Sequence, residues 1–235
     1  MKFPNMPLRF VLLLLLTFCS FESASADSWM NLLEGQKLDQ WMKKDGSEPA
    51  KTWQFVDGWL QLNGKGGDLI TKQEYGDFEL WFEFRISEKG NSGIKYRVQK
   101  YDGRYLGLEY QVLDDPAFPK LTDEHKTGSL YDLVTPSPVT KRLHPQGQMN
   151  VAKIRVQGNR IQHWINGQLL IDEQASGSTW LNHVSNSKFK KHAGFGENQS
   201  GRIMLTDHNC EVWFRNIYLK PLSAPVNAGI RCQCP

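Results

Sequence analysis

The stretch FELWFEFRI, residues 78–86, places an apolar side chain at every second position. This alternation is typical of a β-strand with one buried face, because a helix would repeat its apolar positions every 3.6 residues. Residues 93–99, GIKYRVQ, alternate in the same way and are predicted to turn Arg97 away from the core while Val98 faces it. No convincing amphipathic helix longer than a turn or two is found, so the chain is predicted to be all-β.

Turn signals separate several further segments with strand character. Residues 151–172 contain the pairs Gly158-Asn159 and Asn166-Gly167, which tolerate the positive φ of two-residue hairpin turns, so a three-stranded meander is predicted there. An early hairpin is predicted over 52–64, and two late strands over 202–207 and 211–222. Many short strands without helical crossovers favour one antiparallel β-sandwich, assigned to residues 27–222 with a C-terminal tail at 223–235.

The N-terminal residues have the layout of a secretory signal peptide. Lys2 and Arg9 precede an apolar run over 10–18, and small residues follow up to Ala26. We predict a signal peptide at 1–26 and export to the periplasm or the exterior. The run is shorter than the roughly 20 residues of a membrane span, and the bulky Phe18 before Cys19 makes lipoprotein anchoring the less favoured alternative.

Removal of the signal peptide would leave three cysteines, Cys210, Cys232 and Cys234. Export permits disulfides, and an odd count leaves one thiol unpaired or bonded to another chain. A bridge from Cys210 to one of the tail pair is the favoured interpretation, while the pairing stays open. The C-x-C spacing without further ligands does not predict a metal site.

The charge distribution argues against nucleic-acid binding. The formal net charge is +3, and the lysines and arginines are spread among acidic residues instead of forming a basic run. No RNA-binding signature is present, so no nucleic-acid partner is predicted.

A polar face on a predicted strand is the first indication of a site. In LEYQVLDD, residues 108–115, Glu109 and Gln111 lie opposite the apolar positions. If this strand pairs with residues 93–99, Arg97 and Glu109 share the outer face of one sheet. A surface salt bridge is the simpler interpretation, because such pairs are common and contribute little.

The loop that follows supports a functional interpretation of this face. Residues 116–148 are rich in proline and predict an ordered loop that arches over one sheet, and long connections of this kind are often functional. The loop and its start bring Asp114, Asp115, His125 and Lys126 to one end of the face. Binding and catalytic groups concentrate on loops held by a rigid scaffold.

Two histidines are the better candidates for chemistry. His125 in EHKTG and His208 in TDHN are each flanked by an acid, and Asp207 could orient His208 or bind a sugar hydroxyl. His163 lies in the middle of a predicted strand and is interpreted as a packed or hydrogen-bonded residue.

The spacing of EYQVLDD also invites comparison with the E-x-D-x-x-E strand of β-sandwich glucanases. Glu109 and Asp114 occupy the outer positions, but Gln111 replaces the central Asp. Retaining hydrolysis needs two carboxyl groups roughly 5 to 5.5 Å apart with different pKa values, so the neutral Gln111 weakens this alternative.

A family resemblance rests on the strings LITKQEYGDFELWFEFRIS, GNSGIKYR, LEYQVLDD, HKTGSLYDL, HWINGQ and LTDHNCEVWFRNIYLKPL. Together with their spacing they resemble the bacterial 3-keto-disaccharide hydrolase family, also described as 3-keto-glucoside 1,2-lyase and 3-keto-2-hydroxyglucal hydratase, over about residues 29–222. The resemblance implies a concanavalin A-like jelly-roll sandwich whose concave face holds the sugar. The chain departs from the family at Asn209, where a glycine commonly follows the histidine. The matching polar residues are Asn91, Ser92, Arg97, Glu109, Gln111, Asp114, His125, Lys126, Asp207 and His208.

The implied chemistry starts at the C3 carbonyl, which makes the C2 hydrogen of the sugar acidic. A base removes that proton, a cation or donor holds the enolate, the C1 substituent leaves, and water adds to the product. We expect His125 or Glu109 as base, Arg97 or Lys126 as electrostatic partner, and His208 as acid. Substrate binding is expected from Asn91, Ser92, Gln111, Asp114, Lys126 and Asp207.

The resemblance also defines what the enzyme would depend on. A separate sugar 3-dehydrogenase would have to supply the oxidised glycoside. No cofactor is predicted with certainty, although a divalent metal could replace the cation. Two alternatives remain open: a noncatalytic lectin-like module whose Trp81 or Trp164 stacks on sugar rings, and a conventional glycosidase using Glu109 and Asp114.

Overall fold

The computed structural model describes residues 28–222, and they form two antiparallel sheets packed face to face. The predicted all-β sandwich is confirmed. The predicted signal peptide and the residues Cys232 and Cys234 lie outside the described residues.

The strands are β1 (Met30–Asn31), β2 (Trp41–Lys43), β3 (Trp53–Val56), β4 (Trp59–Leu62), β5 (Leu69–Thr71), β6 (Phe78–Ile86), β7 (Asn91–Tyr101), β8 (Arg104–Leu113), β9 (Asn150–Gln157), β10 (Arg160–Ile165), β11 (Gln168–Gln174), β12 (Arg202–Leu205) and β13 (Val212–Pro221). The larger sheet has the order β11-β10-β9-β6-β13-β4-β3, with β1 also paired to β13. The smaller sheet has the order β2-β5-β12-β7-β8.

The core lies between the two sheets and is formed by the apolar positions of the alternating strands. β6 shows the predicted pattern throughout, with every odd position of FELWFEFRI buried. Phe82 from the larger sheet meets Tyr110 from the smaller sheet edge to face, with ring centroids 5.3 Å apart. Full burial of one such aromatic side chain contributes roughly 1.5–3 kcal/mol, so this alternation alone holds the sheets together strongly.

One α-helix contradicts the expectation that the chain has no helix longer than a turn or two. The helix α1 spans Gly177–Asn186, and three short 3₁₀ helices lie at Glu34–Gln36, Asp115–Ala117 and Asp123–His125. Trp180 is the one fully buried residue of α1, and Val184 packs against the core one turn later. A helix held by so few apolar side chains leaves almost no periodic signal in the sequence. Within residues 28–222, no helix is long and apolar enough to cross a membrane.

A β-bulge in β7 overturns part of the predicted side-chain pattern. The register to β8 shifts between Tyr96 and Gln99, and Arg97 adopts a positive φ of 49°. The prediction for GIKYRVQ is therefore right up to Tyr96 and wrong after it, because an extra residue in a strand reverses the faces that follow. Val98 packs on the outer face with Ile70 and Met204, and Arg97 is buried.

The neighbouring strands accommodate this bulge with glycines. A Cβ at Gly107 of β8 would lie 2.6 Å from the carbonyl oxygen of Tyr96. A Cβ at Gly201, just before β12, would meet the Arg97 backbone more closely still. Two glycines on either side of the bulge therefore allow the backbones to approach.

The proline-rich loop is ordered as predicted, and part of it extends the smaller sheet. Residues 127–131 run antiparallel to β8: the Gly128 N–H donates to Gln111 O at 2.9 Å and the Tyr131 N–H to Glu109 O at 3.0 Å. His163 Nδ1 donates to Gly128 O at 3.1 Å from the opposite sheet. At this point the loop continues the sheet edge and does not arch over the sheet.

Candidate active site

Three side chains form a row on the outer face of the smaller sheet. Lys95 is the cross-strand partner of Glu109, and Tyr131 lies on the other side of Glu109. Directly opposed side chains in antiparallel strands have Cβ atoms about 5 Å apart, so the row Lys95, Glu109, Tyr131 is contiguous. The distance from Lys95 Nζ to Glu109 Oε2 is 3.6 Å. The Arg97 to Glu109 pair predicted from the sequence is wrong, because the charged partner of Glu109 is Lys95.

Glu109 has too few partners for so deeply placed a carboxylate. Only 5% of the residue is exposed, and among residues 28–222 its side chain has no hydrogen bond besides the long ion pair with Lys95. Hidden carboxylates normally accept several hydrogen bonds, because burial without them costs kilocalories. An under-bonded carboxylate on an otherwise polar face is a candidate for direct contact with a substrate.

Gly93 provides the space that the carboxylate occupies. A Cβ at Gly93 would lie 2.5 Å from Glu109 Oε1, so any larger residue would displace the carboxylate. On the same face Gln111 Nε2 donates to Asn91 Oδ1 at 3.2 Å. Ser92 points to the other side and donates to Thr206 O at 2.8 Å in the interior. Asn91 and Gln111 thus lie beside Glu109, whereas Ser92 joins β7 to β12.

The hydrogen bonds around His125 engage both nitrogens of its ring. His125 Nε2 lies 2.8 Å from Asp132 Oδ1, and Nδ1 lies 2.9 Å from Thr122 Oγ1. The Thr122 hydroxyl donates to Glu124 Oε1 at 2.6 Å, so its proton is already engaged. Since Asp132 can only accept, the Nε2–H donates to it, while Nδ1 faces the Thr122 hydroxyl. Because both ring nitrogens are engaged within the loop, the arrangement does not support His125 as a base.

Lys188 approaches the row from the segment after α1. Its Nζ lies 4.1 Å from the Tyr131 ring centroid, and its backbone N–H donates to Asp132 Oδ2 at 2.7 Å. Partial burial lowers the pKa of Lys188, Lys95 acts in the same direction, and Glu109 and Asp132 oppose both. Burial, followed by the charges of Glu109 and Asp132, raises the pKa of Tyr131, so the phenol keeps its proton at neutral pH.

Arg97 lies in the interior and connects the two sheets. Its Nη2 is 2.9 Å from Asp77 Oδ1, and its Nη1 donates to Gly158 O at 2.8 Å. Asp77 Oδ1 also accepts the Gly158 N–H at 2.9 Å. Only 2% of Arg97 is exposed. These contacts join β7 to the turn between β9 and β10, so the structure gives Arg97 a structural position away from the polar row.

Asp114 also has a structural position. Its Oδ2 accepts the Lys89 N–H at 2.8 Å, and its own N–H donates to Gly90 O at 3.0 Å, so it holds the turn between β6 and β7. Position 114 is out of phase with Glu109 and Gln111 on the alternating strand. The carboxylate pair of the glycosidase alternative is therefore not assembled on this face.

The remaining predicted residues lie around the rim. Asp207 Oδ2 accepts the N–H groups of Gly66 and Gly67 at 2.8 and 2.7 Å, so it holds a turn. His208, the next residue, is exposed. Its ring has no hydrogen bond or ion pair in the described part of the chain. Lys126 pairs with Asp123 at 2.7 Å. None of the three contacts Glu109.

A cleft of about 1010 Å³ opens at the end of the sandwich where β8 ends. Leu113, two residues beyond Gln111 on the same face, contributes to its wall together with Lys126 and Lys141. Lys95, Glu109 and Tyr131 are not among the residues that line this cleft. No group of three or more His, Cys, Asp or Glu side chains within 28–222 is arranged to hold a metal ion.

Comparison with known proteins decides the family. Residues 28–220 match the family described as the 3-keto-α-glucoside-1,2-lyase-like domain. The chain belongs to this family. A relative from Bacteroides thetaiotaomicron named 3-keto-disaccharide hydrolase is 31% identical over 84% of this chain and 79% of the relative. The chain is accordingly an enzyme of the hydrolase and lyase type, and the resemblance drawn from its sequence strings is confirmed.

Solved structures agree on the fold. A Parabacteroides distasonis protein provisionally described as a glycosyl hydrolase superposes with a TM-score of 0.75 at 27% identity, covering 84% of this chain and 96% of that one. The β-glucanase of Bacillus licheniformis, at 11% identity and a TM-score of 0.50 over 85% of this chain and all of that one, shows only the shared jelly-roll fold. The jelly-roll sandwich implied by the resemblance is therefore confirmed.

Sequence reasoning about this family member missed four residues of the site, Lys95, Tyr131, Asp132 and Lys188. Asp132 lies within HKTGSLYDL, a string already singled out, so a search of its acids would have found it. Lys188 lies in a run of lysines after a helix that was not predicted, and nothing local marks it. Trp81 and Trp164, proposed as sugar-stacking residues of a lectin, lie on the larger sheet on either side of Lys153, away from Glu109.

Proposed function

We propose that this chain cleaves glycosides whose C3 hydroxyl has been oxidised to a ketone, by removal of the C2 proton, elimination of the C1 substituent and hydration of the product. The substrate class follows the family description and the name of the Bacteroides thetaiotaomicron relative. The observation that carries the proposal is the Glu109 carboxylate, which belongs to a largely buried residue, lacks hydrogen bonds among the described residues and pairs with the Lys95 ammonium at 3.6 Å.

Glu109 is the base in this mechanism. A ketone at C3 makes the neighbouring C2 hydrogen acidic enough for a carboxylate to remove it, which an unoxidised glucoside does not allow. Because no hydrogen bond has to be broken first, the carboxylate is free to accept the proton. Gly93 keeps Oε1 in place by leaving room for it.

Lys95 supplies the positive charge that the sequence assigned to Arg97. Its ammonium lies on the same face at 3.6 Å from Glu109. As the proton moves to Glu109 and the enolate forms, this ammonium can stabilise the negative charge that develops on the C3 oxygen. A fixed cation near developing charge in a site of low polarity is usually a large contribution to catalysis. The His125 ring, held by Asp132, packs against the Tyr131 ring and helps to fix its position.

Tyr131 is the donor for the departing C1 oxygen. Its phenol stays protonated at neutral pH, because burial and the charges of Glu109 and Asp132 raise its pKa, and it lies next to Glu109 on the sheet. Breaking the C1–O bond gives the 3-keto-2-hydroxyglucal and the free second sugar. One water then adds across the double bond, so the net reaction is hydrolysis. Asn91 and Gln111 can bind sugar hydroxyl groups on the same face.

The decisive experiment compares oxidised and unoxidised forms of one disaccharide as substrates of the full chain. Release of the second sugar is expected from the 3-keto form alone, at a rate that falls with Glu109→Gln. Absence of turnover of the 3-keto form above the buffer rate, with and without added divalent metal ions, would overturn the proposal. Turnover of the unoxidised form would instead restore the conventional glycosidase.

A further inference from the structure

Lys188 differs from Lys126 and Lys141 in forming no ion pair among residues 28–222. Lys126 pairs with Asp123 at 2.7 Å and Lys141 with Asp115 at 2.6 Å. Across residues 28–222, no hydrogen bond or ion pair of the Lys188 ammonium is found. Its Nζ lies instead against aromatic rings, 4.1 Å from the centroid of Tyr131 and 5.2 Å from that of Phe189.

The location of this ammonium follows from sheet pairing. Tyr131 is the neighbour of Glu109 along the sheet, and Lys188 lies over the Tyr131 ring, so its amine is on the same face as the proposed base. The backbone of Lys188 is held by Asp132, the carboxylate that also holds His125. The side chain is exposed, so a ligand on this face can reach it.

The surroundings favour the neutral, nucleophilic amine more than those of an ordinary surface lysine do. Partial burial lowers the pKa of Lys188, and Lys95 on the same face adds to this effect against the opposing charges of Glu109 and Asp132. Lysines that form Schiff bases with carbonyl substrates are activated by desolvation or by a neighbouring cation. A ketone substrate makes this capacity relevant to the reaction.

We propose that Lys188 forms a Schiff base with the C3 carbonyl of the substrate, so that the proton at C2 is removed from an iminium ion and not from a ketone. This inference rests on the proposed function for the identity of the carbonyl. A protonated imine withdraws electrons more strongly than a ketone, and Glu109 then removes the C2 proton more easily.

The steps balance without any oxidant or reductant. The Lys188 nitrogen bonds to C3, one of its protons moves to the C3 oxygen, and that oxygen leaves as water with a second proton from Lys95. Glu109 takes the C2 proton, and the C2–H electrons form the enamine double bond. The enamine expels the C1 oxygen, which leaves with a proton from Tyr131. Water then hydrolyses the C3–N bond and regenerates the Lys188 amine, and the proton released in this hydrolysis returns to Lys95. Glu109 passes the C2 proton to Tyr131, so every group recovers its starting state, and one water is released and one is consumed before hydration.

Reductive trapping tests the inference directly. The full chain is incubated with a 3-keto-disaccharide, treated with sodium borohydride to reduce the imine to a stable amine, and analysed by intact mass and peptide mapping. We expect one sugar adduct on the peptide that contains Lys188, and none with the unoxidised disaccharide. In Glu109→Gln, elimination is blocked, so the adduct should carry the whole disaccharide.

Two variants separate a covalent role from an electrostatic one. Lys188→Arg retains a positive charge on a long side chain but cannot form an imine, so turnover should fall at least about 100-fold, the scale of losing one catalytic group, and trapping should disappear. Lys190→Arg is the matched control, because Lys190 is an exposed lysine two positions away with no part in the site. It should keep wild-type turnover and trapping, and circular dichroism should show that both variants are folded.

The possible results distinguish this inference from the proposed function. If the wild-type chain turns over the 3-keto substrate but neither it nor Glu109→Gln gives an adduct at Lys188, the Schiff base is overturned and the proposed function stays in place. Wild-type turnover by Lys188→Arg would have the same meaning. An adduct at Lys188 without turnover would support the Schiff base and overturn the proposed function. If neither adduct nor turnover occurs, both are overturned.

Discussion

Two basic residues two positions apart on β7 form ion pairs of opposite character. Arg97 is buried, pairs with Asp77 at 2.9 Å, and donates a further hydrogen bond to Gly158 O. Lys95 lies on the outer face and pairs with Glu109 at 3.6 Å, where the carboxylate has no hydrogen bond in the described part of the chain. The Asp77 carboxylate accepts two hydrogen bonds and the pair joins two sheets, although the buried Arg97 Nε has no hydrogen-bond partner among the described residues. The second pair leaves its acid available to react.

The difference teaches that the hydrogen bonds which a carboxylate accepts separate a structural acid from a reactive one better than charge type or spacing does. Removal of either partner of a buried ion pair lowers the stability of the fold, because the other charge is left buried without compensation. An under-bonded carboxylate costs stability, and its retention on a polar face indicates a function. The two pairs therefore predict opposite consequences of mutation.

The largest expected effect is on catalysis at the under-bonded pair. Glu109→Gln should lower turnover of a 3-keto-disaccharide by about 10³-fold, within the range for loss of a general base, which corresponds to about 4 kcal/mol in the barrier. The free energy of unfolding should change little, because the carboxylate has few partners to lose. Glu79→Gln is the matched control, since Glu79 pairs with Arg155 on the other sheet. Equal loss of turnover in both variants would refute the assignment.

The pair of Arg97 and Asp77 should show the reverse behaviour. Arg97→Met should lower the free energy of unfolding by about 3 kcal/mol, because Asp77 would lose its buried partner, while turnover per folded molecule stays near that of the wild type. Denaturant unfolding measures the first quantity and active-site-normalised kinetics the second. A stable Arg97→Met protein with 100-fold lower turnover would reverse the comparison and return the enolate to Arg97.

Acid should lower the free energy of unfolding through His163, which is hydrogen-bonded to the segment that carries Tyr131. Burial lowers the pKa of His163 to about 4, although its hydrogen bonds to the backbone of Gly128 and Ser129 act in the opposite direction. The unfolded value is about 6.5, so the unfolded chain binds the proton more readily and stability is lost as the pH falls from about 6.5 towards 4. The expected loss between pH 7 and 5 is about 2 kcal/mol in the free energy of unfolding.

The origin of this pH dependence can be isolated by mutation. His163→Gln removes the titrating group, so its unfolding free energy should vary less between pH 7 and 5 than that of the wild type. Because Gly128 belongs to the segment that carries Tyr131, hydrogen exchange in 127–131 should report the loss. An unchanged pH slope in the variant would assign the dependence to other groups.

The smallest expected effect comes from filling the space that Gly93 leaves for the Glu109 carboxylate. Gly93→Ala should shift Glu109, because the new Cβ would lie 2.5 Å from Oε1, and turnover should fall about tenfold through misplacement of the base. Gly76→Ala is the control, since its Cβ would have an ordinary contact of 3.4 Å. Wild-type kinetics for Gly93→Ala would show that the carboxylate position is not critical.

Much of the fold could be predicted from alternation and turn residues. β6 and the meander β9 to β11 lie where the patterns put them, because one buried face imposes a period of two residues and Asn-Gly or Gly-Asn pairs accept the turn geometry. The predictions failed at α1, where one buried tryptophan gives no helical period, and after Tyr96, where the bulge reverses the faces. A bulge depends on neighbouring strands, here through Gly107 on the next strand and through Gly201, which lies about 100 residues from Arg97 in the chain.

The candidate site was predicted in part for the same reason. Glu109 and Gln111 were found because their face is set by local alternation, and the position of Asn91 follows from strand pairing. The partners of His125, by contrast, come from a short turn whose hydrogen bonds are not coded by any spacing, and Lys188 reaches the face from about 80 residues further along the chain.

By itself, the sequence determined the class of this protein: an all-β sandwich with a polar strand face around Glu109, carrying the strings of its family. Only the tertiary structure decided which cation accompanies that carboxylate, placing Lys95 beside it, Lys188 over Tyr131 and Arg97 in the interior. The physical reason is the distance along the chain over which each feature is determined. Side-chain alternation is a property of one strand and can be read locally. The charge and hydrogen-bond balance of a site, however, is set by groups that meet only when the sheets and the extended edge at 127–131 are assembled.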